Sequence, residues 1–133
     1  MNISRSILDS RSAISEGKKE ITNRIDGIYI GDREEIIRKV LTCAESRYIL
    51  IESFESAIPE TAWILLESLP LIDKSGEYGF IFDLGRGNKE DVVRFALHME
   101  IIDSMFVFSN NLDCIFCAND DLEDVTVSLA AFR

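Results

Sequence analysis

The sequence predicts one α/β domain over residues 1–133, with a mixed, mostly parallel sheet flanked by helices, a C-terminal antiparallel hairpin and a terminal helix. Two patterns support this fold class. Short apolar runs of strand character alternate three times with segments of helical periodicity, which is typical of parallel strands joined by crossovers. Two further β-rich runs near the C-terminus are separated by Asn110 and Asn111, which tolerate the positive φ angles of tight hairpins.

The first predicted element is an amphipathic N-terminal helix over about residues 4–25, where isoleucines recur at seven-residue spacing. A short apolar run at 28–30 then predicts a strand. Asp32 and Glu35 have the spacing of an N-terminal helix cap, and apolar residues follow them at helical intervals. This segment is the first predicted strand-helix unit.

The second unit combines a continuous apolar strand at 48–51 with a helix that Pro59 opens and Pro70 ends. Because this strand contains no alternating polar residues, we expect it to be covered on both faces. The third unit consists of a strand at 78–84 and a helix capped by Asn88.

The C-terminal segment departs from this alternation. The two strands of the hairpin are predicted at 105–108 and 112–118. Asp120 and Glu123 then repeat the helix-cap spacing and predict a last helix that extends to residue 132.

The composition is that of a globular protein, since 47% of the residues are apolar and 29% are charged. No apolar run approaches the roughly 20 residues of a membrane-spanning helix, and no secretory signal is legible. We therefore expect a cytoplasmic protein without membrane association. Cys43, Cys114 and Cys117 lie in apolar surroundings, which favours reduced core thiols over disulfides.

The net charge of −10 is concentrated in the last two-thirds of the chain. Residues 1–50 carry a net charge of +1, whereas residues 51–133 carry −11. Such a surface repels phosphate backbones and anionic lipids and raises the rate of encounter with a basic partner. Direct nucleic-acid binding is therefore disfavoured.

One stretch of twelve residues contains five acids and no basic side chain. These acids are Asp113, Asp120, Asp121, Glu123 and Asp124. Helix capping explains one or two acids in a first turn but not five. Like charges held together cost stability, so we predict that these five residues bind a basic protein partner; the alternative is a merely solubilising surface.

Three other features allow a chemical interpretation beside a structural one. Cys114 and Cys117 have the spacing of half a zinc site or a redox pair, but residues three apart on a strand point to opposite faces. The Gly-Arg-Gly loop at 85–87 precedes a helix and could hold an anion, although glycines at such a junction more often form the turn. His98 falls on the polar side of its helix, which favours a solvated residue over a catalytic one.

The sequence favours a small acidic protein-binding domain over an enzyme, most concretely an immunity protein or antitoxin that neutralises a basic toxin such as a nuclease. For this domain we predict no catalytic residue, no metal and no cofactor, and a homodimer stays open. The alternative is a small-ligand or magnesium-dependent enzyme domain, with Asp32, Glu52 and Asp83 at the carboxyl ends of parallel strands. A contiguous acidic patch would support the binding domain, and a concave carboxylate cluster would support the enzyme.

Overall fold

A computed structural model describes residues 2–16, 32–53 and 58–127, of which 12–16 and 124–127 are described by their backbone alone. This part of the chain forms four helices and six strands. The helices are α1 (Ile3–Glu16), α2 (Arg33–Thr42), α3 (Glu60–Leu66) and α4 (Lys89–His98). The strands are β1 (Tyr48–Glu52), β2 (Leu71–Lys74), β3 (Gly79–Asp83), β4 (Ser104–Phe108), β5 (Cys114–Asn119) and β6 (Asp124–Val127).

The strands form one sheet in the order β2-β3-β1-β4-β5-β6, and every neighbouring pair is antiparallel. The predicted mostly parallel sheet is therefore wrong. The helices do connect strands that run in the same direction, because β1 and β2 are both antiparallel to β3, and β3 and β4 are both antiparallel to β1. In each case one antiparallel strand lies between the two connected strands: β3 lies between β1 and β2, and β1 lies between β3 and β4. No parallel pair of neighbours therefore forms.

Strand β2 is the element that the sequence prediction omits. It follows Pro70 directly, forms one edge of the described sheet and is mostly exposed. Its pairing with β3 contains a register shift between Leu71 and Asp73. β2 runs in the same direction as β1, and a tight turn then reverses the chain into β3. As a result, β3 runs antiparallel to β1 and can pair with it.

The C-terminal segment forms the predicted hairpin but not the predicted terminal helix. β4 and β5 pair around the turn that contains Asn110 and Asn111, although the residue with positive φ is Leu112. The residues from Asp120 to Leu122 all have positive φ, so they form a turn into β6 instead of a first helical turn. Valine and threonine in β6 favour an extended backbone. The remainder of the predicted helix, at 128–133, lies outside the described residues.

The predicted helix caps at Asp32 and Asn88 are confirmed. The Asp32 carboxylate accepts a hydrogen bond from the Glu35 amide at 3.0 Å, and the Asn88 side chain accepts one from the Glu90 amide at 2.9 Å. α1 covers the start of the predicted N-terminal helix. The rest of that helix and the predicted strand at 28–30 lie outside the described residues.

Apolar residues cover both faces of the sheet. The larger cluster joins α2, α3 and α4 to one face, where the Phe95 ring lies 5.5 Å from that of Phe80 and 5.3 Å from that of Phe82, between ring centroids. The smaller cluster lies on the opposite face and includes Ile7 of α1 with Leu50 of β1. These two layers determine which side chains reach the surface at the sheet edges.

Candidate functional site

The five acids of the predicted binding stretch do not form one patch. Asp113 is exposed at the turn between β4 and β5, whereas Asp120, Asp121 and Glu123 lie in the turn at the other end of β5. Six extended residues separate the two turns by about 20 Å. The side chain of Asp124, the first residue of β6, is outside the described part of the structure.

Asp121 has a structural role that its sequence position did not reveal. Its carboxylate accepts hydrogen bonds from the amide of Ile102 at 3.0 Å and from Nε of Arg33 at 3.1 Å. The Asp121 amide donates in return to the Ile102 carbonyl at 3.0 Å, and Arg33 also donates to the Met99 carbonyl at 2.7 Å. Asp121 therefore fastens the β5-β6 turn to the residues that follow α4 and to the start of α2.

We expect Asp121→Ala to lower the free energy of unfolding by about 1–3 kcal/mol, because the Ile102 amide and the Arg33 guanidinium lose their shared acceptor. Asp120→Ala is the matched control, since both aspartates have a φ of 53° and alanine meets the same backbone strain at each position. Urea unfolding of both variants measures the difference. Equal losses of stability would contradict the role of the Asp121 carboxylate.

The three carboxylates of the alternative enzyme site are also separated. Asp83 pairs with Tyr48 in the β1-β3 register, whereas Glu52 pairs with Gly79, so the two carboxylates lie at opposite ends of this strand pair. Four extended residues place them about 13 Å apart. Asp32 caps α2. Among the described residues, no group of three or more histidine, cysteine or acidic side chains could hold a metal ion.

Asp83 organises the Gly-Arg-Gly loop at 85–87, the candidate anion site in the sequence. Its carboxylate accepts a hydrogen bond from the Gly85 amide at 2.9 Å and one from Nη2 of Arg47 at 3.3 Å. Nε of Arg47 also lies 2.8 Å from the carboxylate, but as an ion contact, because its N–H is not directed at an acceptor. The hydrogen bond and the charge of Asp83 raise the pKa of Arg47. A Cβ at Gly85 would lie 2.6 Å from the Arg47 guanidinium, so this glycine leaves space for the ion pair.

Glu52 is the second buried carboxylate that forms an ion pair. It is 2% exposed, and its carboxylate accepts hydrogen bonds from the Arg11 guanidinium and, at 3.0 Å, from the Ser75 hydroxyl. A cavity of about 370 Å³ adjoins this pair and is lined by Arg11, Glu52, Ser53, Ser75, Gly76, Glu77 and Tyr78. Since Arg11 belongs to α1 and Ser75 to the β2-β3 turn, the ion pair holds three segments together. No pattern in the sequence indicated that Arg11 would reach Glu52.

The two C-terminal cysteines face the same side of the sheet, so the prediction of opposite faces is wrong. A register shift in the β4-β5 pairing adds one residue between Phe116 and Cys114. This shift places both Cys114 and Cys117 in the apolar cluster on the α1 face. Burial, together with the neighbouring Cys117, raises the pKa of Cys114 to about 12. A thiol that keeps its proton is a poor nucleophile and a poor metal ligand, and Cys43, Cys114 and Cys117 are all free thiols.

The raised pKa of Cys114 predicts a loss of stability at alkaline pH. Above pH 9 the thiol ionises in the unfolded chain but keeps its proton in the folded one, so the folded state binds more protons and its stability falls as pH rises, by at most about 1.4 kcal/mol per pH unit. Cys114→Ala should reduce this decline between pH 8.5 and about 10.5, measured by urea unfolding. Cys43→Ala is the control. An unchanged slope in Cys114→Ala would contradict the assignment.

An exposed apolar patch lies on α3 and β2. We call it the α3 surface; its members are Trp63, Ile64 and Leu71, which are 38%, 64% and 36% exposed. The Trp63 ring packs edge-on against Phe80 at 5.8 Å between centroids, and Lys74 Nζ lies 5.6 Å from the Trp63 ring centre. In the β2-β3 register Leu71 lies opposite Phe82 and Lys74 opposite Phe80, on the same face of the sheet. The patch therefore extends from α3 to the sheet edge.

Two exposed acids border the α3 surface. Glu60 precedes Trp63 by three residues, and Glu67 follows it by four. Both therefore lie one turn from Trp63 on the same side of the helix. The sequence contained a signal that was missed: four consecutive apolar residues at 63–66 exceed what one face of a seven-residue helix can bury.

His98 is the last residue of α4 and is exposed.

Among the described residues, no helix is long and apolar enough to cross a membrane. Comparisons with protein-family models, with curated proteins and with solved structures find no match for this chain.

Proposed function

We propose that this chain is a small acidic protein-binding domain whose partner is a basic protein. One observation carries the proposal. Between residues 58 and 127, each of the four basic side chains lies near a ring, a carbonyl or a carboxylate of the fold, whereas many exposed acids form no ion pair with another described residue. Those acids are Glu60, Glu67, Asp73, Glu77, Glu100, Asp113, Asp120 and Glu123.

The contacts of these basic side chains explain why the acidic excess reaches the surface. Lys74 lies over the rings of Trp63 and Phe80, and Lys89 donates to a backbone carbonyl. Arg86 and Arg94 lie 3.9 Å from aspartates three residues away on the chain. The acids without such a neighbour are free to meet Lys and Arg side chains of a partner.

The most concrete form of this function is an immunity protein or antitoxin that neutralises a basic toxin, such as a nuclease, in the cytoplasm. Carboxylates would take the place of nucleic-acid phosphates against the toxin's Arg and Lys residues. Charge of this kind mainly accelerates association, while buried apolar contacts slow dissociation. The three carboxylates of the enzyme alternative do not converge on one site, so the binding domain is the function that we propose.

This proposal predicts a basic partner whose association depends on salt. A tagged chain, isolated from its native source at low ionic strength, should retain a protein with more Lys and Arg than Asp and Glu, identified by mass spectrometry. The association rate of the purified pair should fall by about tenfold or more between low and moderate salt, measured by stopped flow. If the partner is a nuclease, the chain should also inhibit its activity.

An acidic partner would contradict this function, and so would an association rate that salt leaves unchanged. The control is an acidic polypeptide of the same net charge that does not fold. If it associated with the partner at the same rate and with the same salt dependence, acidic charge alone, and not the folded surface, would be what the partner binds.

A further inference from the structure

We propose that the basic partner docks on the α3 surface, with Trp63 and Ile64 inserted into an apolar recess that Lys or Arg side chains border. This inference rests on the proposed function and names its site. The block at 113–124 does not supply such a site, because its acids lie at two ends of β5 and Asp121 is bonded within the fold. The α3 surface, in contrast, is bordered by two exposed acids, Glu60 and Glu67, that form no ion pair with another described residue.

Trp63 already packs against two side chains of the fold. Its ring is perpendicular to that of Phe80, with 5.8 Å between centroids, and Lys74 Nζ lies over its ring. A side chain that is already ordered loses little rotamer freedom on binding, and tryptophan is among the residues most enriched at interface hot spots. Trp63 therefore has the properties of an anchor.

Ile64 supplies the second anchor. It is 64% exposed, the largest exposed fraction among the large apolar side chains of the described residues. Of the five such side chains that are at least 36% exposed, three form the α3 surface, and the other two are Ile3 and Ile101. Single exposed apolar residues are ordinary, but a group of them bordered by polar residues indicates an interaction site.

The two acids that border the α3 surface outnumber its one lysine, Lys74, so the local charge favours a basic partner over a second copy of this chain. In a symmetric dimer through this surface, Glu60 and Glu67 of two copies would be brought together, at a cost in repulsion between chains of net charge −10. Addition of a partner strand to β2 is disfavoured as well. Pro70 precedes this edge strand, a register shift interrupts it and Lys74 ends it, and each of these features hinders edge pairing.

The first experiment places a photo-crosslinking amino acid at position 64, with position 101 as the control, in the full chain expressed in its native source. We expect a basic protein crosslinked from position 64 but not from position 101. A second copy of this chain, an acidic protein, or the same product from both positions would overturn the inference. The inference would also be overturned if the chain with the crosslinking residue at position 64 still binds the basic protein but gives no crosslinked product.

The second experiment measures binding of that purified basic protein. Ile64→Lys should weaken its affinity at least about tenfold, mostly through faster dissociation, while Ile101→Lys, with the same change of charge, should have little effect. Thermal unfolding checks that both variants fold. Trp63 is the only tryptophan of the chain, so its fluorescence should shift on binding and become protected from acrylamide. An unchanged affinity in Ile64→Lys would overturn the inference.

Paired charge variants separate the inference from the proposed function. Neutralising Glu60 and Glu67 to glutamine should slow association more than neutralising Asp113 and Glu123. If the second pair has the larger effect, a basic partner binds but docks at the β5 turns, and only the α3 surface is rejected. If neither pair of variants changes the association rate, and if that rate does not depend on salt, then both the docking site and the proposed function are rejected.

Discussion

The rest of the fold depends on the burial of β1. All five of its residues are buried, with β3 and β4 on its two edges and apolar clusters on its two faces. Its last residue, Glu52, is charged, and a buried carboxylate without a partner would be strongly destabilising. Arg11 and Ser75 supply its hydrogen bonds. The central strand therefore positions α1 and the β2-β3 turn by polar contacts as well as by apolar packing.

Local sequence signals located most of the described elements but not their pairing. Caps at Asp32 and Asn88 mark where α2 and α4 begin, and continuous apolar runs mark β1 and β3. Alternation of strands and helices indicates that the chain crosses over the sheet, but it does not indicate whether another strand lies between the two connected ones. That outcome depended on β2, a four-residue exposed strand with little apolar pattern.

The errors at the candidate sites have the same origin. One extra residue in the β4-β5 pairing turned Cys114 to the face of Cys117, and a bulge of this kind has no clear sequence signature. Asp120 and Glu123 repeat the spacing of Asp32 and Glu35, yet their turn lies against residues about twenty positions away. In both cases the pairing of the segment with another part of the chain decided the outcome, so spacing within the segment could not.

Acids beside exposed apolar residues serve the free chain and the bound chain in different ways. Trp63 and Ile64 are exposed on the helix beside β2, an edge strand of the described sheet, and apolar exposure at such an edge favours association between copies. Glu60 and Glu67 oppose that association by repulsion, in the manner of charged residues that flank aggregation-prone segments. In the complex proposed above, the same charges would attract a basic protein and leave the apolar contact available. One arrangement of charge would then both disfavour self-association and favour the proposed class of partner.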